Sequence, residues 1–192
     1  MERVTRTHTE AYDRIEGLIS RAQNGDKEAF TSLYQEYVTP VYRYTYLRVG
    51  QVDQAEDLTQ EVFIRVLKNI RKYHYRGKPF LSWLFRIAHN LVIDHYRQSK
   101  KNGSIPISDS ITTASEGDPA AIIEQSMEKA EVEKAIRKLP SKQREVISLR
   151  FGSELSIAET ASAIGKTEGT VKKLQHEAII KLRDLMKNEK ES

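Results

Sequence analysis

Apolar residues recur at three- and four-residue steps over much of the first half of the chain: Ala29, Leu33, Val41, Tyr44 and Leu47, then Leu58, Val62, Val66 and Ile70. This spacing returns each side chain to the same face of an α-helix. From Phe80 to Arg97, projected at about 100° per residue, Phe80, Leu81, Leu84, Ile87, Ala88, Leu91 and His95 fall on one side. Trp83, Arg86, Asn90, Asp94 and Arg97 fall on another. Alternation at every second position between hairpin turns, the mark of a strand, is missing. The first half therefore predicts a compact helical bundle.

The pattern breaks between Asn102 and Pro119, where ten of eighteen residues are Ser, Thr, Gly or Pro. Such a stretch buries too little apolar surface to offset the entropy of ordering it, so residues 101–125 read as a flexible linker. Beyond it, Leu139-Pro140-Ser141 starts a helix with Val146, Ile147 and Leu149 as its buried face. Ser156 and Glu159 form an S-x-x-E capping box ahead of Ala161 and Ile164, and Gly165 suits the left-handed position that ends a helix. Thr167 caps the last helix, whose buried stripe is Val171, Leu174, Ala178, Leu182 and Leu185. A short helix, a glycine turn and a second helix make a helix-turn-helix, here about residues 156–176. The fold expected is all-α, with helical domains at 25–100 and 126–188, residues 1–24 an N-terminal extension and start of the first helix, and 189–192 a tail.

Charge sharpens this division. The net formal charge of +4 conceals a basic block from Val66 to Lys101, in which Lys68, Arg71, Lys72, Arg76, Lys78, Arg86, Arg97, Lys100 and Lys101 face one acid, Asp94. From Asn102 to Glu133 the sign reverses, with seven acids against Lys129. A basic block of this size suits a polyanionic partner. The absence of cysteine excludes disulfides, thiolate metal sites and cysteine nucleophiles. Met1 to Arg14 hold no apolar block of signal-peptide length, and no run approaches the roughly 18 apolar residues that cross a bilayer. The expected location is the cytoplasm, without membrane insertion.

Three constellations carry candidate chemistry. On the last helix Gly169, Lys172, Lys173 and His176 lie outward in the N-terminal half, the half that enters the major groove in helix-turn-helix proteins. Lysines contact phosphate or guanine there, and the helix N-terminus attracts phosphate through its free amides. Trp83 among Arg86, Asn90 and Arg97, with Tyr73, Tyr75, Arg76 and Lys78 in a loop just ahead, places an aromatic ring where an unpaired base can stack and cations where phosphates pass. The competing reading is a Trp83 that packs on a neighbouring helix. Asp53, Glu56, Asp57 and Glu61 line up at helical spacing with Gln60 beside them; they serve either the helix dipole or a partner with a basic surface. No cofactor, metal or small-molecule substrate is expected. His176-Glu177 lacks the second histidine of H-E-x-x-H because Ile180 stands there, and Gly165-Lys166-Thr167 lacks the earlier glycine of a P-loop because Thr160 does.

Asp53 to Lys72, Phe80 to Arg97 and Leu139 to Arg183 resemble regions 2.2, 2.3 to 2.4, and 4.1 to 4.2 of extracytoplasmic-function (group IV) sigma factors. The resemblance runs from about Gly25 to Lys187 except the linker, with three motifs in the family's order and spacing. It implies two helical domains, sigma-2 and sigma-4, and a protein that directs bacterial RNA polymerase core to promoters while the polymerase supplies the catalysis. By that match Asp53, Glu56, Asp57, Gln60 and Glu61, in a segment of about 53–70, dock on the β′ clamp helices. Tyr75, Arg76, Lys78, Trp83, Arg86, Asn90 and Arg97, within about 73–100, capture and melt the non-template strand of the minus-10 element. Thr170, Lys172, Lys173 and His176 read the minus-35 duplex, and sigma-4 touches the β flap. An anti-sigma factor is a further partner the family implies. His89 stands where the family often has arginine, and Glu177 where a basic residue is frequent. The alternative is a stand-alone helix-turn-helix regulator, which needs a sensor or dimerisation domain that the sequence does not display. An enzyme needs a metal or acid-base cluster that it does not display either.

Overall fold

The computed structural model describes residues 2–75, 79–101 and 130–190, with side chains for 13–75, 79–101 and 130–187. Arg76, Lys78 and residues 102–125 of the expected linker lie outside these. The helices in chain order are α1 (Glu2–Gln23), α2 (Lys27–Val49), α3 (Val52–Asn69), α4 (Phe80–Lys101), α5 (residues 130–137), α6 (Ser141–Ile147), α7 (Ile157–Ile164) and α8 (Glu168–Lys190). A 3-10 turn at Ile70–Lys72 extends α3, and a π-helical turn at Ser148–Gly152 follows α6. Among the described residues there is no strand, and no helix is long and apolar enough to cross a membrane.

Local chemistry sets the ends of the central helix. Asp26 accepts from the free amides of Glu28 and Ala29 at the start of α2, and Gly50, at φ 80°, takes the left-handed turn that closes it. The predicted stripe is buried: Ala29, Leu33, Val41 and Tyr44 on α2 meet Val62 and Val66 on α3 and Leu84 and Ala88 on α4. Each such side chain contributes roughly 1.5–3 kcal/mol when removed from water. α1 joins the same core through Ile19 and Ala22, so this helix, set ahead of the first domain by the expected boundary, packs within it. Gln23 at its end donates to the carbonyls of Ile70 and Tyr73 at 3.0 and 2.6 Å, tying α1 to the chain that leaves α3.

The second half builds two smaller clusters, one of Ile136, Leu139, Ile147 and Ala178, the other of Val146, Ala161 and Val171. Neither is self-sufficient. Leu149, Leu155 and Ala163 sink into the core of the first half, while Leu47 of α2 packs on the cluster of the second. α7 lies against α4, and the π-helical turn lies against α2. α4 is therefore covered by α2, α3 and α7, and Phe85 and Val92, outside its predicted apolar face, are both 0% exposed.

Candidate nucleic-acid and partner interfaces

α3 turns Ala55, Leu58, Thr59, Val62, Phe63 and Val66 inward. Its outer side consequently carries Asp53, Glu56, Asp57 and Gln60, all exposed, with Glu61 half-buried and paired to Arg65 at 2.9 Å. Ile64 and Leu67 continue this outer side at 44% and 57% exposure. Neither was singled out from the sequence, since an apolar residue one turn beyond Gln60 reads as core. Only the lack of a covering element among the described residues reveals them. Acids at one end and two bare aliphatic side chains at the other make a surface for a partner with a cationic, partly apolar face.

Trp83 is partly buried. Its ring packs on Tyr73 and Phe80, with centroids 5.2 and 5.5 Å away, yet it also walls an open groove of about 220 Å³ with Arg65, Asn69, Lys72, Ile87 and Asn90. Burial pushes the Tyr73 phenol up to about 12, so this ring stays neutral at any physiological pH. Of the other predicted strand-contacting residues, Asn90 shares the groove and Tyr75 stands 56% exposed just before the undescribed Arg76 and Lys78. Arg97, 3.5 Å from Asp94, lines a second groove of about 430 Å³ beyond Arg65, together with Asp57, Glu61 and His95. Arg86 is exposed on the side facing the second half, its Nη2 only 3.6 Å from where a Cβ on Gly165 would sit. Arg65, Asn69 and Lys72 were missed because they belong to the end of α3, whose apposition to α4 is a tertiary fact.

The helix-turn-helix forms as its spacing predicts. The Ser156 hydroxyl accepts from the Glu159 amide at 3.1 Å and the Glu159 carboxylate from the Ser156 amide at 2.8 Å. Gly165 adopts φ 65°, and Thr167 Oγ1 accepts from the Thr170 amide at 3.2 Å. Val171 and Ala178 are buried, so Thr170, Lys172, Lys173 and His176 stand together on the exposed side of α8. Glu177 lies 3.9 Å from Lys173 and accepts from Gln143 of α6 at 3.3 Å, which draws it toward the protein. Among the described residues no group of His, Asp and Glu is placed to hold a metal ion.

The chain thus joins a Trp-walled cationic groove on a helical bundle to a helix-turn-helix. The family model for Sigma-70 region 2 matches residues 33–102, and that for Sigma-70, region 4 matches residues 135–184. This chain belongs to the ECF RNA polymerase sigma factors. It is 40% identical to the ECF RNA polymerase sigma factor BldN of Streptomyces coelicolor, across 90% of this chain and 66% of that protein. It is 34% identical to the ECF RNA polymerase sigma factor SigW of Bacillus subtilis, across 89% of this chain and 98% of that one. Among solved structures, the sigma factor RpoE in complex with the anti-sigma factor NepR from Bartonella quintana is similar at 26% identity and a TM-score of 0.66, covering 81% of this chain and 97% of RpoE. An ECF sigma factor is a promoter-directing transcription initiation factor and not an enzyme, which agrees with the two regions matched and with the relatives' names.

Proposed function

We propose that the chain divides promoter recognition between its halves: sigma-2 (25–100) grips strand-separated minus-10 DNA through the Trp83 and Asn90 groove, and sigma-4 (126–188) reads the minus-35 duplex through α8. The observation that carries this is the half-exposed Trp83, supported from behind by Tyr73 and Phe80 and flanked by Arg65, Lys72 and Asn90. A base stacked on such a ring is worth about 1–3 kcal/mol, and every base has a face to offer, so the ring holds an opened strand that duplex DNA does not present. Tyr75, Arg76, Lys78, Arg86 and Arg97 add cations and a second ring along the strand's path. Thr170, Lys172, Lys173 and His176 contact the major groove and its phosphates. Asp53, Glu56, Asp57, Gln60 and Glu61, with Ile64 and Leu67, dock on the β′ clamp helices of RNA polymerase core, and sigma-4 touches the β flap. The location is the cytoplasm, and an anti-sigma factor is a partner, as RpoE has in NepR.

The deciding experiment is transcription by sigma-free bacterial polymerase with and without the purified chain. Start-site selection is expected only with it; a gel shift of duplex promoter by the chain alone, with no effect on polymerase, would favour the stand-alone regulator. Within that assay Trp83→Ala is expected to reduce open-complex formation about tenfold or more, as 1.4 kcal/mol is tenfold, while co-purification with core is unchanged. Asp57→Arg is expected to weaken co-purification with core while leaving the fold intact, and normal co-purification would reject the docking assignment.

A further inference from the structure

Gly165 is needed where it stands, because its φ of 65° suits no other residue as well. Gly169, four positions on, is not needed by anything inside the protein. It lies in α8 with an ordinary helical backbone, it is exposed, and a Cβ built on it would meet only Thr167 Oγ1, at 3.9 Å. Alanine would therefore fit without strain. Glycine in a helix also weakens the fold, because the unfolded chain has more conformations to lose than it would with alanine. That loss has no compensation among the residues around Gly169.

Its place on α8 supplies a reason outside the molecule. At about 100° per residue, Gly169 points about 180° away from the buried Ala178, while Lys172, His176 and Lys173 stand about 60°, 20° and 40° from it around the helix. Gly169 is thus the leading edge of the exposed basic face. A helix with its side chains is about 10–12 Å across and the major groove is about 12 Å wide, so the bulk at that edge decides how far the helix enters. Long side chains at the flanks reach the walls of the groove, and a bare Cα between them lets the backbone of α8 come down toward the base edges. Gly17 of α1 is just as free, with nothing within 4 Å of its Cβ position, but it lies outside every set of residues assigned to DNA. Freedom alone does not point to DNA; the position of Gly169 does.

We propose that Gly169 is a specificity-determining residue of sigma-4, whose missing side chain sets the depth at which α8 seats in the minus-35 major groove. A larger residue holds Thr170 and His176 off the base edges. This role rests on the promoter reading above.

The test sets stability against binding in the full chain. Gly169→Ala is expected to raise the melting temperature by about 1–4 °C. Holoenzyme assembled from that variant and sigma-free bacterial core is nevertheless expected to bind about tenfold more weakly to a promoter fragment on which the unmodified chain selects a start site, and Gly169→Leu about a hundredfold more weakly. With the minus-35 segment of the fragment replaced by unrelated sequence, all three proteins are expected to bind alike. Gly17→Ala is expected to raise the melting temperature without weakening binding to either fragment, which separates lost clearance from a general stiffening of the chain. A melting temperature of Gly169→Ala below that of the unmodified chain, undiminished binding by Gly169→Ala to the intact fragment, or an equal loss on both fragments overturns the role of Gly169. If the unmodified chain itself binds the two fragments alike, the minus-35 reading fails and the role of Gly169 falls with it.

Discussion

At the scale of single residues, placement separates side chains that look alike in sequence. Trp83 is both support and surface, because Tyr73 and Phe80 hold one part of its ring while the groove leaves another part bare. His89 and His95 lie six positions apart on α4 with different surroundings. His89 lies against Glu145 of α6, whereas burial alone lowers the pKa of His95 below its ordinary value. A histidine that resists protonation when folded makes the unfolded chain the better proton binder, so its share of stability is present above the unfolded pKa near 6.5 and is lost as pH falls below it. Melting temperature is therefore expected to fall between pH 7.5 and 5.5. His95→Gln is expected to flatten that fall, and identical profiles in thermal melts of the two proteins would remove His95 from the account.

At the scale of elements, short-range chemistry is decisive where it is complete. The Ser156 and Glu159 capping box satisfies two free amides of α7, an eight-residue helix too short to persist unaided. Ser156→Ala is expected to cost about 1 kcal/mol and to lower the melting temperature by roughly 2–4 °C, read by calorimetry. It is also expected to weaken minus-35 binding, since α7 sets the angle at which α8 leaves the protein. Lys172→Ala and Lys173→Ala act on the same element from outside. Each is expected to leave the folding stability within about 0.5 kcal/mol of the parent while lowering the salt dependence of DNA binding by about one counterion, if its contact is to phosphate. An unchanged slope in titrations across salt concentrations would move that lysine off the backbone.

At the scale of the whole molecule, the halves share a core. Leu155, from the loop before α7, is 0% exposed and belongs to the cluster built by α2, α3 and α4. Leu155→Ala is thus expected to cost about 2–5 kcal/mol. The chain has one tryptophan, Trp83, in the first half, so its fluorescence reports the unfolding of that half alone. The urea midpoint seen by Trp83 is expected to drop in Leu155→Ala; an unmoved midpoint would mean that the halves fold independently.

What the amino-acid sequence determined by itself was everything set within a turn or two of chain: helical periodicity, the capping box, the left-handed Gly165, and the outward placement of Asp57, Asn90 and Lys172. These depend on contacts only three or four residues apart, and spacing states them directly. Tertiary structure alone decided that Ile64 and Leu67 stay bare, that Arg65 and Lys72 complete the Trp83 groove, that Phe85 and Val92 are covered, and that Arg48 is buried where the two halves meet. Each of these depends on which helix arrives from far away in the chain. A periodic pattern shows that a face is apolar or charged but carries no record of what comes to lie against it.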